Sequence, residues 1–156
     1  MKQDIADLIS THPLLAGLSV DLIGEVAGCA VNRVWHAGEL LITEGEAADT
    51  LYLVRRGVVA IEVNAPASGP IVIETVGPGG VVGWSWMFPP YRWHFDARAA
   101  GAVGAIAIDA ACLRDKADAD PELGHRLTFR VAGVLLERLQ MTRVRLLDLY
   151  GSSRAR

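Results

Sequence analysis

Arg92, His94, Asp96 and Arg98 alternate with Trp93, Phe95, Ala97 and Ala99. That period of two is the pattern of a strand, with four ionisable groups on one face and apolar groups on the other. Bordering a pocket, Arg92 and Arg98 would grip an anion while Asp96 orients His94, a pH-responsive arrangement. Facing solvent, the same groups form a salt-bridged strand surface in which each exposed pair contributes roughly 0 to 1 kcal/mol. Just upstream lie Trp84, Ser85, Trp86, Met87 and Phe88, so six of the ten aromatic residues and three of the four tryptophans fall between Trp84 and Phe95. Such a cluster beside Pro89-Pro90 either lines a ligand pocket or fills one as an apolar plug.

Little else in the chain carries chemistry. His12 and His94 are candidate metal or haem ligands by residue type, but each stands alone without the clustered spacing of a metal site, and no metal ligand is assigned. There is no Ser-His-Asp or Cys-His order, no pair of catalytic carboxylates and no phosphate-cradling G-x-x-x-x-G-K, so no catalytic residue is assigned and the chain does not read as an enzyme. Cys29 and Cys112 lack C-x-x-C spacing; they read as small buried hydrophobes, with neither a zinc site nor a disulfide framework, in a reducing compartment. A formal charge of -3 argues against direct binding of nucleic acid. The amino terminus lacks the apolar core of a secretory signal and no apolar run is long enough to span a membrane, so a cytoplasmic protein is expected.

The elements that must position the aromatic block follow from the apolar pattern. In 1–30, Ile5, Leu8 and Ile9 recur at helical spacing before His12-Pro13, and Ser19 caps a second helix with Leu22, Ile23 and Val26 on one face. In 31–112, short apolar runs such as Leu51–Val54, Val58–Ile61, Ile71–Ile73 and Ala105–Ile108 are separated by turn glycines, which predicts a mainly β sandwich, roll or barrel. In 113–150, Asp120 as N-cap, Pro121 and Glu122 open a long helix; 151–156 is left as a tail.

On that helix Ala132, Leu135, Leu139, Thr142, Leu146 and Leu149 form a heptad seam, which predicts a partner helix, or else a stripe packed on the chain's own β-core. Leu136, Val144 and Leu147 add a second apolar side, more than one internal interface requires. Arg126, Arg130, Arg138, Arg143 and Arg145 read as a solvated face.

Taken together, His36-Ala37-Gly38-Glu39 with Gly45-Glu46, Leu51–Val54, Gly57–Ile61 and Val76–Gly83 resemble the cyclic-nucleotide-binding domain shared by catabolite activator proteins and kinase regulatory subunits. The likeness extends from Pro13 to Tyr150. It implies a double-stranded, jelly-roll-like β-roll with flanking helices and a long carboxy-terminal dimerisation helix. In that family the ligand lies in a phosphate-binding cassette, typically F-G-E-L-A-L-L-Y-x-x-P-R, whose glutamate holds the ribose hydroxyl and whose arginine pairs with the cyclic phosphate. The same twelve positions here run from Val82, Gly83, Trp84, Ser85 and Trp86 through Arg92 to Trp93.

Trp84 therefore stands at the glutamate position and Trp93 at the arginine position. Each charge-assisted bond contributes about 1.5 to 3 kcal/mol, so losing both weakens a cyclic nucleotide by on the order of a hundred- to ten-thousand-fold unless something replaces them. Arg92 is one residue away and substitutes only if the backbone bulges after the prolines.

Two expectations follow. The candidate cassette Val82, Gly83, Trp84, Ser85, Trp86, Arg92, Trp93 and His94 senses an aromatic or anionic small molecule, cyclic nucleotide included, and shifts the last helix; or the tryptophans fill the pocket and the fold serves as a dimerising, protein-docking scaffold. The chain ends at Arg156, where catabolite activators continue into a helix-turn-helix domain. A stand-alone regulatory module, homodimeric and acting through a protein partner, is therefore expected.

Overall fold

A computed structural model, describing residues 4–154, shows two four-stranded antiparallel sheets flanked by helices at both ends of the chain. Helices α1 (Ile5–Ser10) and α2 (Val20–Ala27) come first, and the Ser19 hydroxyl accepts the Leu22 N–H at 3.3 Å as the N-cap of α2. The strands are β1 (Ala30–Trp35), β2 (Leu40–Ile42), β3 (Thr50–Arg56), β4 (Val59–Ala65), β5 (Gly69–Val76), β6 (Val81–Val82), β7 (Asp96–Ala99) and β8 (Val103–Asp109). One sheet has the order β1-β8-β3-β6 and the other β2-β7-β4-β5, so this is the mainly β, roll-like architecture expected. Leu51, Tyr52, Leu53 and Val54 are all buried, which means that both faces of β3 are covered and explains why this run does not alternate.

The chain closes with α3 (Ala110–Ala119) and α4 (Pro121–Arg154). Asp120 accepts the N–H groups of Glu122 and Leu123 at 3.1 and 3.4 Å, the cap expected of it. Helix α4 runs past residue 150 into the segment read as a tail, and Ala155 and Arg156 lie outside the described residues. Its inward stripe is Leu123, Leu127 and Val131, with Val134 and Leu135 packed against the core edge. From Leu139 to Gly151 every residue is exposed. The seam therefore does not pack on the chain's own β-core: of its members only Leu135 leans on it, and Leu139, Leu146 and Leu149 face outward.

Three expectations are corrected. Cys29 and Cys112 are joined in a disulfide, with Cα atoms 5.7 Å apart and a sequence separation of 83. The β1–β8 ladder, which pairs Ala30 with Ile108, brings together the residue before β1 and the first turn of α3, a proximity that spacing alone cannot reveal. In the chain-entropy picture a cross-link over a loop of this length stabilises by about 4 to 5 kcal/mol. Second, the alternating stretch from Arg92 is a strand only from Asp96; Arg92 makes an isolated bridge to Ala47. Third, the α4 arginines are not one solvated face. Arg130 donates to Leu14 O at 2.9 Å, Arg145 to Ile73 O at 2.7 Å, and Arg138 reaches β5 and β6.

Candidate ligand-binding cassette

The segment from Val82 to Phe95 leaves β6, passes through a 3-10 turn at Ser85–Met87 and returns to the sheet at β7. Gly83 is the pivot. It is buried with φ of 92°, a left-handed conformation that costs a residue bearing a Cβ roughly 1 to 2 kcal/mol. A Cβ here would also lie 2.5 Å from Cη2 and 2.8 Å from Cζ3 of Trp93. The indole of Trp93 thus lies flush against the Gly83 backbone, and glycine is required on both counts.

Trp93 is 4% exposed and packs against Phe95 with ring centroids 5.9 Å apart. Trp86 is also buried, and its indole N–H donates to Gly83 O at 3.0 Å. A buried tryptophan needs this partner, because an unpaired indole N–H would forfeit on the order of 1 to 3 kcal/mol. Two of the three clustered tryptophans therefore belong to the hydrophobic core.

Trp84 is half-buried, and the Arg138 guanidinium of α4 lies 4.5 Å from its ring centroid. Arg138 also donates to Val81 O and pairs with Glu74, Nε to Oε1, at 3.3 Å. Burial lowers the pKa of this arginine and the Glu74 carboxylate opposes that effect. On the far side of the cassette, Arg114 of α3 donates to Trp86 O and lies 4.5 Å from the Tyr91 ring centroid. Arg114 thus reaches a carbonyl and a ring of the segment, and Arg138 a ring of the segment and the carbonyl of Val81 just before it, each a combination of charge-assisted hydrogen bond and cation–π contact.

From sequence Arg138 reads only as part of a solvated face, and Arg114 carries no expectation. Arg138 falls four residues after Val134 and seven after Val131, on the inward stripe of α4, and that periodicity is the signal which finds it. Arg114 has no such signal.

The other predicted groups disperse. Tyr91 adopts a positive φ of 54° and the chain turns there, but Arg92 points outward, its guanidinium donating to Gly45 O at 3.4 Å. His94 is exposed. Asp96 accepts the Glu44 N–H at 2.7 Å, and Arg98 is tied to the buried Glu62 at 2.9 Å and to Gly38 O at 2.8 Å. The ionisable face of this strand is consequently a surface whose members brace loops, and among the described residues no hydrogen bond joins Asp96 to His94.

His12 is buried and uses both ring nitrogens, Nε2–H donating to Gly80 O and Nδ1 accepting the Leu14 N–H, each at 3.2 Å. Burial lowers its pKa from the usual 6.5, with the carbonyls of Gly80 and Val54 opposing. The ring is thereby committed to fastening the turn after α1 to the residue just before β6. Among the described residues no group of three or more His, Cys, Asp or Glu side chains could hold a metal ion, and no helix is long and apolar enough to cross a membrane.

The fold that carries these residues is found in known proteins. The family model for the cyclic nucleotide-binding domain matches residues 32–120, more than half of the chain. A CRP-like cAMP-activated global transcriptional regulator of Mycobacterium tuberculosis (strain CDC 1551 / Oshkosh) is 30% identical over 112 residues, covering 72% of this chain and 48% of that protein. Glutaminase 1 of Bradyrhizobium diazoefficiens is 32% identical over 69 residues, 44% of this chain and 11% of the enzyme. The chain thus spans about half the length of the one relative and about a tenth of the other. Among solved structures, a cyclic nucleotide-binding domain from Methylobacillus flagellatus KT superimposes with a TM-score of 0.78 at 21% identity, covering 93% of this chain and 82% of that one.

Proposed function

Because the chain belongs to the cyclic nucleotide-binding domain family, we propose that it is a regulatory module whose cassette is held in place by its own tryptophans and arginines instead of a cyclic phosphate. The observation that carries this reading is Trp93, which stands where the family resemblance expects the phosphate-binding arginine and is buried against Gly83. An indole brings no charge to a phosphate, and displacing it from the core would expose a large apolar surface. Arg138 and Arg114 supply cationic contacts from the helices, directed at carbonyls and rings of the chain itself.

Calorimetric titration with cyclic AMP and cyclic GMP tests the reading. The native chain is expected to bind either one no tighter than about 100 µM, given the loss of two charge-assisted contacts. The Trp84→Glu, Trp93→Arg double variant, checked for folding by circular dichroism, is expected to gain affinity. Micromolar binding by the native chain would overturn the proposal.

A second reading keeps a ligand. A cavity of about 280 Å³ between α4 and the β5–β6 turn is lined by Arg138, Glu74, Val81 and Met141. An aromatic anion entering there would compete with Glu74 for Arg138 and so disturb the guanidinium that covers the Trp84 ring. Fluorescence quenching by such a ligand that disappears in Trp84→Phe is the result that favours it.

In either case we read the output as assembly. Ala132, Leu135, Leu139, Thr142, Leu146 and Leu149 form the seam for a second copy of the chain, and Leu136, Val144 and Leu147, all more than half exposed, leave a flank for a protein partner in the cytoplasm. A solution mass of two chains at micromolar concentration, falling to one in Leu139→Asp, supports the seam; a monomer throughout removes it.

A further inference from the structure

Both cysteines of this chain are consumed in one cross-link, and that cross-link lies at the root of the helix that grips the cassette. Cys29 closes the corner between α2 and β1; Cys112 is in the first turn of α3. Arg114, which donates to Trp86 O and covers Tyr91, is two residues further along the same helix. Two residues correspond to a rotation of about 200°, so the sulfur and the guanidinium leave α3 on opposite sides. The helix is therefore held between a covalent tether to the amino-terminal corner and an arginine on the aromatic segment. On the tethered side Lys116 adds a polar tie, its Nζ donating to Glu25 O at 2.7 Å.

We propose that Cys29 and Cys112 form a reversible thiol–disulfide site whose oxidation state sets how firmly α3, through Arg114, holds the cassette. The co-reactant is a dithiol, small or carried by a protein. Cys29 is 8% exposed whereas Cys112 is only partly buried, so the incoming thiolate attacks Sγ of Cys112. That bond forms as the Cys29–Cys112 bond breaks, and the departing Cys29 thiolate takes up a proton. The second thiol of the reductant then displaces Cys112 as a thiol, and the reductant leaves as a disulfide. Two electrons and two protons pass to the chain.

The β1–β8 ladder keeps the two cysteines adjacent after reduction, with the Asp109 N–H donating to Cys29 O at 2.9 Å, so the bond can re-form. In a reducing compartment a disulfide in such a place is more often a sensor than a staple. The proposal stands whether or not a ligand enters the cassette.

The native full chain, equilibrated in mixtures of reduced and oxidised dithiothreitol, provides the test. Alkylation followed by mass spectrometry counts free thiols, and amide hydrogen exchange follows α3 and the segment from Trp84 to Tyr91. The expected result is a single reversible transition from no free thiol to two. On reduction, exchange rises by about tenfold or more in α3 and in the aromatic segment, while β3 and β8 stay protected. In the oxidised chain, Arg114→Ala is expected to loosen the aromatic segment and leave α3 protected, which separates the arginine from the tether. The proposal is overturned by a cross-link between chains, by two free thiols in fully oxidised buffer, or by exchange in the aromatic segment that is the same in both redox states.

Discussion

The aromatic segment from Trp84 to Phe95 and the distal half of α4 from Leu139 to Tyr150 are both rich in large apolar side chains, and the chain treats them in opposite ways. In the first, Trp86 and Trp93 are buried and satisfied within the chain, and Trp84 and Tyr91 each lie beneath an arginine. In the second, Leu146, Leu147 and Leu149 are from 51% to 70% exposed. The difference follows from backbone geometry. A segment that turns at Gly83 and Tyr91 folds its tryptophans back on the chain, whereas a helix that has run past the edge of the roll leaves its leucines exposed even where Arg145 still reaches Ile73 O of β5. Apolar composition alone therefore says nothing about where the partner is.

The hardest attempt to break this contrast is Trp93→Ala. Truncating a fully packed aromatic residue costs about 3 to 5 kcal/mol, and no residue between Leu139 and Tyr150 should approach that in the isolated chain. Urea denaturation measures it. A loss below about 1 kcal/mol would mean that the space over Gly83 is not filled as tightly as the ring contacts indicate, and the two regions would cease to differ in kind.

Arg138 marks the boundary between the regions, the last inward position of α4 before the exposed run. Replacing it with alanine leaves Val81 O without its charged donor and Glu74 without its ion pair, for an expected loss of about 1 to 3 kcal/mol. The same substitution at Arg143, an exposed position, should change stability by less than about 0.5 kcal/mol. Equal effects at the two sites would place the boundary elsewhere.

Sequence reasoning reached these two regions unequally, and for a physical reason. The α4 seam is a local property, since a 3-4 spacing of leucines determines which side chains share a face whatever the rest of the chain does. The short apolar runs of β3, β4, β5 and β8 were legible in the same way. Whether Trp93 fills a pocket or lines one depends on the approach of Gly83 across ten residues of irregular backbone, and Arg114 meets Tyr91 only after β7 and β8 have reversed the chain twice. The Cys29–Cys112 pairing is longer in range still, created by the β1–β8 ladder over 83 residues. Alternation from Arg92 to Arg98 correctly separated polar from apolar side chains, yet gave no hint that Asp96 and Arg98 would be engaged in bracing loops.

Acid should separate the regions again, by a smaller effect. His12 holds Gly80, next to β6, in its neutral form, and burial lowers its pKa from the usual 6.5. Between the lowered value and 6.5 the unfolded chain binds a proton that the folded chain does not, so stability falls as pH drops below about 6.5 and the contribution is intact above it. Melting temperature measured from pH 7.5 downward should show this fall, and in His12→Asn the His12 component should vanish. A slope that is unchanged in His12→Asn would assign the acid sensitivity to other groups.

The smallest expected effect is the one that decides what the exposed leucines are for. At nanomolar concentration Leu146→Ala removes only solvent-exposed methyl groups, and the unfolding free energy should change by less than about 0.5 kcal/mol. If the seam meets a second copy, folding and association are linked, and the native chain becomes more stable as its concentration rises. The difference between native and Leu146→Ala chains should then grow with concentration, because only the assembled helix buries that side chain. Trp93→Ala, whose cost lies wholly within one chain, should show a difference that concentration does not alter. A Leu146→Ala effect that stays flat from nanomolar to high micromolar would leave the distal half of α4 without a second copy as its partner, and the contrast would narrow to one between a filled cassette and an uncovered helix.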